Sequence, residues 1–391
     1  MIDVRPILDA AWRAHAAGVL GVLARRLGDL DRAEEALQDA MADALRRWPA
    51  EGVPENVPGW LVTAAWHRAL DRLRREATGR EKLAVLAATP PAEPTGDDRL
   101  ALLFACCHPS LEEPAQMALT LHAMAGLPAD KIAAAFLLPR STMAQRLVRA
   151  KRRLRGVGFE VGDPLTRLPA VLAVIYLIYN EGHLDESRVL AHEALDLARQ
   201  LAALLPDAPE AAGLAALVEL HESRAAARLD AHGHLVLLEH QDRTRWDRSL
   251  IRGALARLAR AAAQNRPGPY QLEAAIAALH ALAPSYPDTD WPAVRRRYDD
   301  LLVLCPSPVV LLGRAVATGF VDGPAAALAE VDALADRLAG YRLWHATRAD
   351  LLARLNRTAE AREATRRALA LATNAAEREL LARRLAGLSV P

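Results

Sequence analysis

Aromatic residues make up only 4% of this 391-residue chain, and cysteine occurs three times. Cys106 and Cys107 are adjacent and Cys305 stands alone, a set that cannot build a disulfide framework and suits a reducing compartment. The alternating runs of valine, isoleucine, threonine and aromatics that make strands are also missing. Alanine, leucine and arginine dominate instead, so the expected fold is all-α. No apolar run reaches the roughly 18 residues of a membrane span. The N-terminus, with Asp3, Arg5 and Asp9, lacks the apolar stretch of a signal peptide, so a cytoplasmic location without membrane contact is expected. A Gly-rich phosphate loop, a His-Glu-x-x-His pair and a nucleophile elbow are absent too; neither an enzyme nor a cofactor is expected.

An excess of charge of one sign is the last thing missing, since 49 Lys and Arg face 48 Asp and Glu. The balance is local, however. Basic and acidic residues number 13 and 16 over residues 1–98, 9 and 3 over 99–158, and 27 and 29 beyond. Within the basic block, Arg140, Arg146, Arg149, Lys151, Arg152, Arg153 and Arg155 fall in sixteen residues with no acidic one among them, which marks a place for a polyanion. With 52% hydrophobic and 25% charged residues, the chain has the makings of two or three globular domains.

Two breaks divide it. Residues 77–97 lose helical periodicity and collect Gly79, Pro90, Pro91, Pro94 and Gly96, the composition of a linker. Gly156, Gly158, Gly162 and Pro164 then stop the basic segment before the next apolar run. In the first division, Leu30, Ala33, Leu37, Met41, Leu45 and Trp48 recur at helical spacing, with Asp31, Glu35, Gln38, Asp39 and Asp43 opposite. An ordinary solvated helix fits these residues as well as a binding face does. A second helix, from about Gly59 to Glu76, interleaves Trp60 and Trp66 with His67, Arg68, Arg72, Arg74 and Arg75. That mixture suits a surface that stacks on unpaired bases, although tryptophans on a helix are also ordinary core residues.

The second division gives a sharper pattern. Ala129–Phe136 reads as a short helix, Leu137-Leu138-Pro139 as a break and Ser141–Arg155 as a second helix, its start favoured by a hydroxyl residue after proline: a helix-turn-helix. Met143, Leu147, Ala150 and Leu154 form its inward stripe. Ser141, Gln145 and Arg149, flanked by Thr142, Arg146 and Arg153, face outward, as a major-groove reader requires. In the last division only Gly340–Leu371 shows a clear helix pair, with Leu343, Ala346, Ala349, Leu352 and Leu355 before a polar turn and Ala361, Ala364, Ala368 and Leu371 after it.

The order of these motifs resembles an extracytoplasmic-function sigma factor over residues 1 to about 158. Asp29 to Ala40 resembles the helix that docks on core RNA polymerase, which implies polymerase binding by Asp31, Glu34, Glu35, Gln38 and Asp39. Pro58-Gly59-Trp60-Leu61 through Arg75 resembles the reader of the promoter −10 element, implying roles for Trp60, Trp66, His67, Arg68, Asp71, Arg74 and Arg75. At Trp66 and His67 the chain departs from the Arg and Asn that related factors often carry. Asp98 to Leu121 opens a domain whose helix-turn-helix reads the −35 element, implying Arg140, Ser141, Thr142, Gln145, Arg146, Arg149 and Arg153 as contacts. Its turn lacks the glycine often found there.

Cys106-Cys107-His108-Pro109 and the long C-terminal extension narrow the resemblance to sigma factors with a tetratricopeptide-like domain. Leu177 to Gly182, Gln241 to Asp247, Gly268 to Leu272, Asp288 to Trp291 and Asn356 to Ala361 resemble that group's further motifs. The implied organisation is sigma region 2 over 1–76, a linker over 77–97, sigma region 4 over 98–158 and a regulatory helical-repeat extension over 159–391. Its partners would be core RNA polymerase, promoter DNA and a peptide, protein or small-molecule ligand on the extension. Asn180, Glu181, Asp242, Arg243, Trp246 and Asp247 are candidates for a ligand pocket there; bonding between repeats and capped turns are the plainer reading. Cys106, Cys107 and His108 suit buried packing better than zinc, which needs about four spaced ligands. Two other functions stay open: a helix-turn-helix regulator that acts without polymerase, and a helical-repeat scaffold or sensor.

Overall fold

The computed structural model describes residues 4–75, 93–136, 138–155, 164–182, 188–372 and 375–388. Among these residues the regular structure is helical, with one isolated bridge between Leu229 and Leu235. Most of the expected linker, and the glycine break over 156–162, lie outside the described residues. The chain forms two compact units, Met1–Pro206 and Asp207–Pro391.

The first unit opens with α1 (Arg5–Leu27), α2 (Leu30–Glu51) and α3 (Val57–Arg75), which pack on one another. Gly28 ends α1 in the left-handed region at φ 65°, a conformation that glycine adopts without Cβ strain. Asp29 then caps α2, its Oδ1 accepting from the backbone N–H of Asp31 at 2.9 Å and of Arg32 at 3.3 Å. The buried stripe of α2 is Leu30, Ala33, Ala36, Leu37, Ala40, Ala44 and Trp48. Leu45, expected on that face, is 46% exposed, because 3.6 residues per turn carry the stripe through Ala44 instead. Full burial of Leu30, Leu37 and Trp48 contributes on the order of 2 kcal/mol each.

Four further helices follow: α4 (Gly96–Cys106), α5 (Glu113–Ala123), α6 (Ala129–Ala135) and α7 (Arg140–Arg153). Asp98 fixes the start of α4, accepting from the Thr95 N–H at 2.9 Å and hydroxyl at 2.7 Å, while Arg25 of α1 lies 2.6 Å from its other oxygen. A Cβ on Gly21 of α1 would stand 2.3 Å from the Asp98 carbonyl oxygen, so the close crossing of α1 and α4 needs glycine at this position. In α7 the buried residues are Met143, Leu147 and Ala150, followed by Leu154, as the periodicity requires. The N-cap is Pro139 rather than a hydroxyl residue: its φ of −60° and ψ of 140° turn the chain into the helix without a side-chain cap, and Ser141 falls inside it. Leu138 and Pro139 form the break before α7; Leu137 lies outside the described residues.

Helices α8 (Pro164–Gly182) and α9 (Val189–Leu204) pack on each other and on α4, with α8 also touching α5. Arg167 of α8 donates to the Phe104 carbonyl and lies 5.6 Å from that ring's centroid. Arg99 of α4 donates to Gln200 of α9. By its packing, therefore, the first helix pair beyond the basic segment joins the compact unit that precedes it.

In the second unit, α10 (Pro209–Glu222), α11 (Arg248–Ala262), α12 (Pro269–Leu282), α13 (Trp291–Leu304), α14 (Pro308–Val321), α15 (Pro324–Asp332), the one-turn α16 (Ala335–Leu338), α17 (Arg342–Arg354), α18 (Thr358–Leu371) and α19 (Ala375–Gly387) pack chiefly on neighbours in order. That is the contact pattern of a stacked helical array. Trp291 and Phe320 stack at 3.9 Å, and Tyr286 meets both rings edge-on. Asn356 makes the turn between α17 and α18 with φ 60°. Ala349, Leu352, Ala361, Ala364 and Ala368 are buried as expected, but Leu343 and Leu371 are 42% and 39% exposed at the two open ends of the pair, and Trp344 is buried in Leu343's stead. An irregular segment between α10 and α11 carries His234, whose Nε2 lies 2.7 Å from Glu379 Oε1 on α19.

Candidate nucleic-acid interface

Helix α7 displays two sets of cations. Arg140, Ser141, Thr142, Gln145, Arg149 and Arg153 are exposed and Arg146 is half-buried. None of these four arginines makes an ion pair among the described residues. Thr142, Gln145, Arg146, Arg149 and Arg153 border a groove of about 360 Å³ together with Glu112 and Pro114 at the start of α5. Such a face has short polar groups at the helix tip for base edges and guanidinium groups farther along for phosphates.

The second set points elsewhere. Lys151 Nζ lies 2.9 Å from Asp31 Oδ1 and 2.8 Å from Glu34 Oε2, on α2. Arg155, just past α7, reaches Asp29 Oδ2 at 3.1 Å and Asp31 Oδ2 at 3.0 Å. His122 of α5 completes the cluster with Nε2 3.3 Å from Glu34 Oε1, while its Nδ1 lies 2.9 Å from the Leu127 carbonyl. Burial works against charge on His122 and Glu34. The contact between them, reinforced at Glu34 by Lys151, outweighs it, raising the histidine above its ordinary pKa and holding the carboxyl below the usual range.

Of the five α2 residues expected to bind polymerase, Asp31 and Glu34 are thus engaged by α7 and α5. Glu35 and Asp39 pair with Arg72 of α3, the latter at 2.7 Å, and Gln38 is exposed. On α3, Arg68 makes a bidentate contact with Asp43 of α2 at 2.7 and 2.6 Å. Asp71 accepts from Arg74 at 3.1 Å, and its carbonyl accepts from Arg75 at 3.2 Å. His67 is exposed. Trp60 is half-buried, its ring 5.3 Å from Trp48 in an edge contact. Trp66 corrects an expectation: at 2% exposure it is a core residue, facing inward with Val62 and Leu70, and has no ring face to offer a base.

The extension's candidate residues fall in different units. Asn180 and Glu181 are exposed near the end of α8. In the second unit Asp242 accepts from Thr244 N–H at 2.9 Å and Oγ1 at 2.6 Å, and Asp247 caps α11 through Ser249 and Leu250 at 2.8 and 3.0 Å. Arg243 donates to the Ala283 carbonyl at 2.9 Å and to that of His280, and lies 4.5 Å over the buried Trp246 ring. These residues cap and brace neighbouring helices. Cys106 and Cys107 are buried, and burial pushes both thiols up, that of Cys107 to about 12. The pairing of α2 with α7 was outside the reach of sequence reasoning; its one signal is the complementary charge at the start of one helix and the end of the other.

Comparison with known proteins adds to this geometry. Residues 11–78 match Sigma-70 region 2, residues 101–154 match Sigma-70, region 4, and residues 167–262 match a family of unknown function, DUF6596. The chain is 43% identical over 400 residues to Uncharacterized protein R00370 of Rhizobium meliloti, covering 95% of this chain and 93% of that protein. It is 29% identical over 158 residues to the Probable ECF RNA polymerase sigma factor SigI of Mycobacterium tuberculosis, covering 38% of this chain and 54% of that one. No solved structure matches it.

Proposed function

Since this chain belongs to the family of the Rhizobium meliloti protein and carries sigma-70 regions 2 and 4 as an ECF-type sigma factor does, we propose that it binds core RNA polymerase through α2, opens the −10 element through α3 and reads the −35 element through α7. The observation that supports this most directly is the outward face of α7, where Arg146, Arg149 and Arg153 stand without ion-pair partners among the described residues, beside Ser141, Thr142 and Gln145. Unpaired guanidinium groups next to short polar side chains suit phosphates and base edges respectively. On α3, Arg74, Arg75, His67 and the half-buried Trp60 are the groups that would meet promoter DNA, while Arg68 and Asp71 set their neighbours' positions. The sigma regions make the chain a transcription factor whose chemistry polymerase supplies.

The residues from 159 onward act in this reading as a regulatory extension, which as a covalently attached segment meets its target at high effective concentration. The second unit's stacked helices would take a peptide, protein or small-molecule ligand. Among the described residues no single helix is long and apolar enough to cross a membrane, which suits a cytoplasmic factor. Run-off transcription from a promoter library with core polymerase tests the proposal: the full chain should initiate, and its Arg146→Ala/Arg149→Ala variant should not. Binding to core polymerase without initiation on any promoter would sink it.

A further inference from the structure

The acidic start of α2 is the surface on which the proposed polymerase docking rests, and every carboxylate oxygen of Asp31 and Glu34 has a basic nitrogen of α7, Arg155 or His122 within 3.3 Å. Lys151 holds one oxygen of each, Arg155 holds the second of Asp31, and His122 faces the second of Glu34. Lys151 and Glu34 are each 12% exposed, so the pair is enclosed between helices. Glu35 and Asp39 are held differently, by Arg72 of α3, which packs against α2 within the same small bundle and can travel with it.

Charge placement explains why these two helix ends meet. Asp29 and Asp31 sit at the N-terminal end of α2, where the helix dipole favours anions, and Lys151, Arg152 and Arg153 occupy the last turn of α7, where it favours cations. Each end is charged to suit its own helix, and the two ends are therefore complementary to each other. A basic surface on another protein would need the same oxygens, and α7 would have to leave before it could bind.

We infer that in the free chain the basic end of α7, with His122 of α5, masks the polymerase-docking face of α2, so that docking requires α7 to swing away first. This inference rests on the sigma-factor reading. It locates a control inside the first unit, independent of the second. The arginines on the outward face of α7 take no part in the mask.

The test uses the full chain with Cys305→Ser, carrying spin labels on Arg47→Cys of α2 and Arg152→Cys of α7, two exposed positions; Cys106 and Cys107 are buried. Electron–electron distance distributions and equilibrium binding to core polymerase are then measured with and without Lys151→Ala/Arg155→Ala. The labels should show one narrow distance in the parent and a longer, broader one in the variant. Core polymerase should bind the variant about tenfold more tightly, because apparent affinity scales with the fraction of chain that is competent to bind. Arg155→Ala alone, at a half-exposed side chain outside the helical core, should give the same changes at smaller size. Opening without any gain in affinity, where the parent binds polymerase, overturns the mask and leaves the sigma reading standing. Opening with no binding by either chain overturns both. Unchanged distances in both variants show that these ion pairs do not hold α7 on α2, and overturn the mask as well.

Discussion

Ion pairs serve different ends in the two compact units. In the first, Glu34 and Lys151 are 117 positions apart and Asp31 and Arg155 are 124 apart, so charge joins the start of α2 to the end of α7. In the second, Arg314 reaches Glu330 and Arg348 reaches Asp332 over 16 positions each, between helices that are already neighbours in the stack. Long-range pairs between separately built elements can be released by moving one element whole. Short-range pairs in a stack cannot be released without loosening the stack. The two long-range pairs of the first unit can thus be exchanged by moving one element, whereas the pairs between stacked neighbours in the second brace the stack.

Four measurements would test this contrast. The largest effect is expected for Trp66→Ala, which should lower the stability of the first unit by about 3–5 kcal/mol in denaturant unfolding, as a core truncation does. Unchanged stability with impaired promoter opening would instead make the aromatic, and not the charges around it, the functional group of α3. Next, Arg146→Ala and Arg149→Ala should each weaken promoter DNA binding by about 1–3 kcal/mol, reduce the salt dependence by about one counterion for each phosphate left without its guanidinium, and keep thermal stability in place. A fall in stability in either would mean that these arginines brace the fold as those of the second unit do.

Third, Asp247→Ala should cost about 1 kcal/mol by removing the cap on α11 and leave transcription unchanged, measured by thermal unfolding alongside run-off assays. A change in transcription would show that the second unit's charges do more than brace. The smallest effect concerns His122, which faces Glu34 and, beyond it, Lys151 and Asp31. Because its folded pKa is raised, its stabilising contribution is present below the ordinary value of 6.5 and fades as pH rises through the raised one. Glu34, whose pKa is lowered, contributes above 4.5 and loses its contribution as pH falls through the depressed value. The parent's thermal midpoint should therefore lose ground to that of His122→Gln as pH rises across neutrality.

Much of the fold was legible because helical periodicity is a local property. The stripe Met143, Leu147, Ala150 and Leu154 placed α7 and oriented its outward face, and the α17–α18 pair could be read from alanine and leucine spacing alone. Errors came where local pattern and tertiary position part. Leu45 continues a three-and-four count but not the true angular path of α2, and Trp66 looks like a base platform until the helices it is wedged among are known. The packing of α8 and α9 on α4 follows from interactions such as Arg99 with Gln200, which no spacing announces. The same holds for Glu34 and Lys151: the types and charges are visible in the sequence, the shared oxygens are not.

The pairing of His234 with Glu379 bears on how the second unit comes apart. A stack in which each helix touches only its neighbours unfolds from its ends, one repeat at a time, because each loss is felt next door and no farther. A link between the segment after the first helix and the last helix closes that open array into a ring of dependence. Fraying of α19 then costs a segment near the opposite end of the chain order one of its contacts. At a partly exposed pair the tie adds at most about 1 kcal/mol of coupling between the ends, and it is a native contact that can form only after nearly the whole unit has been synthesised.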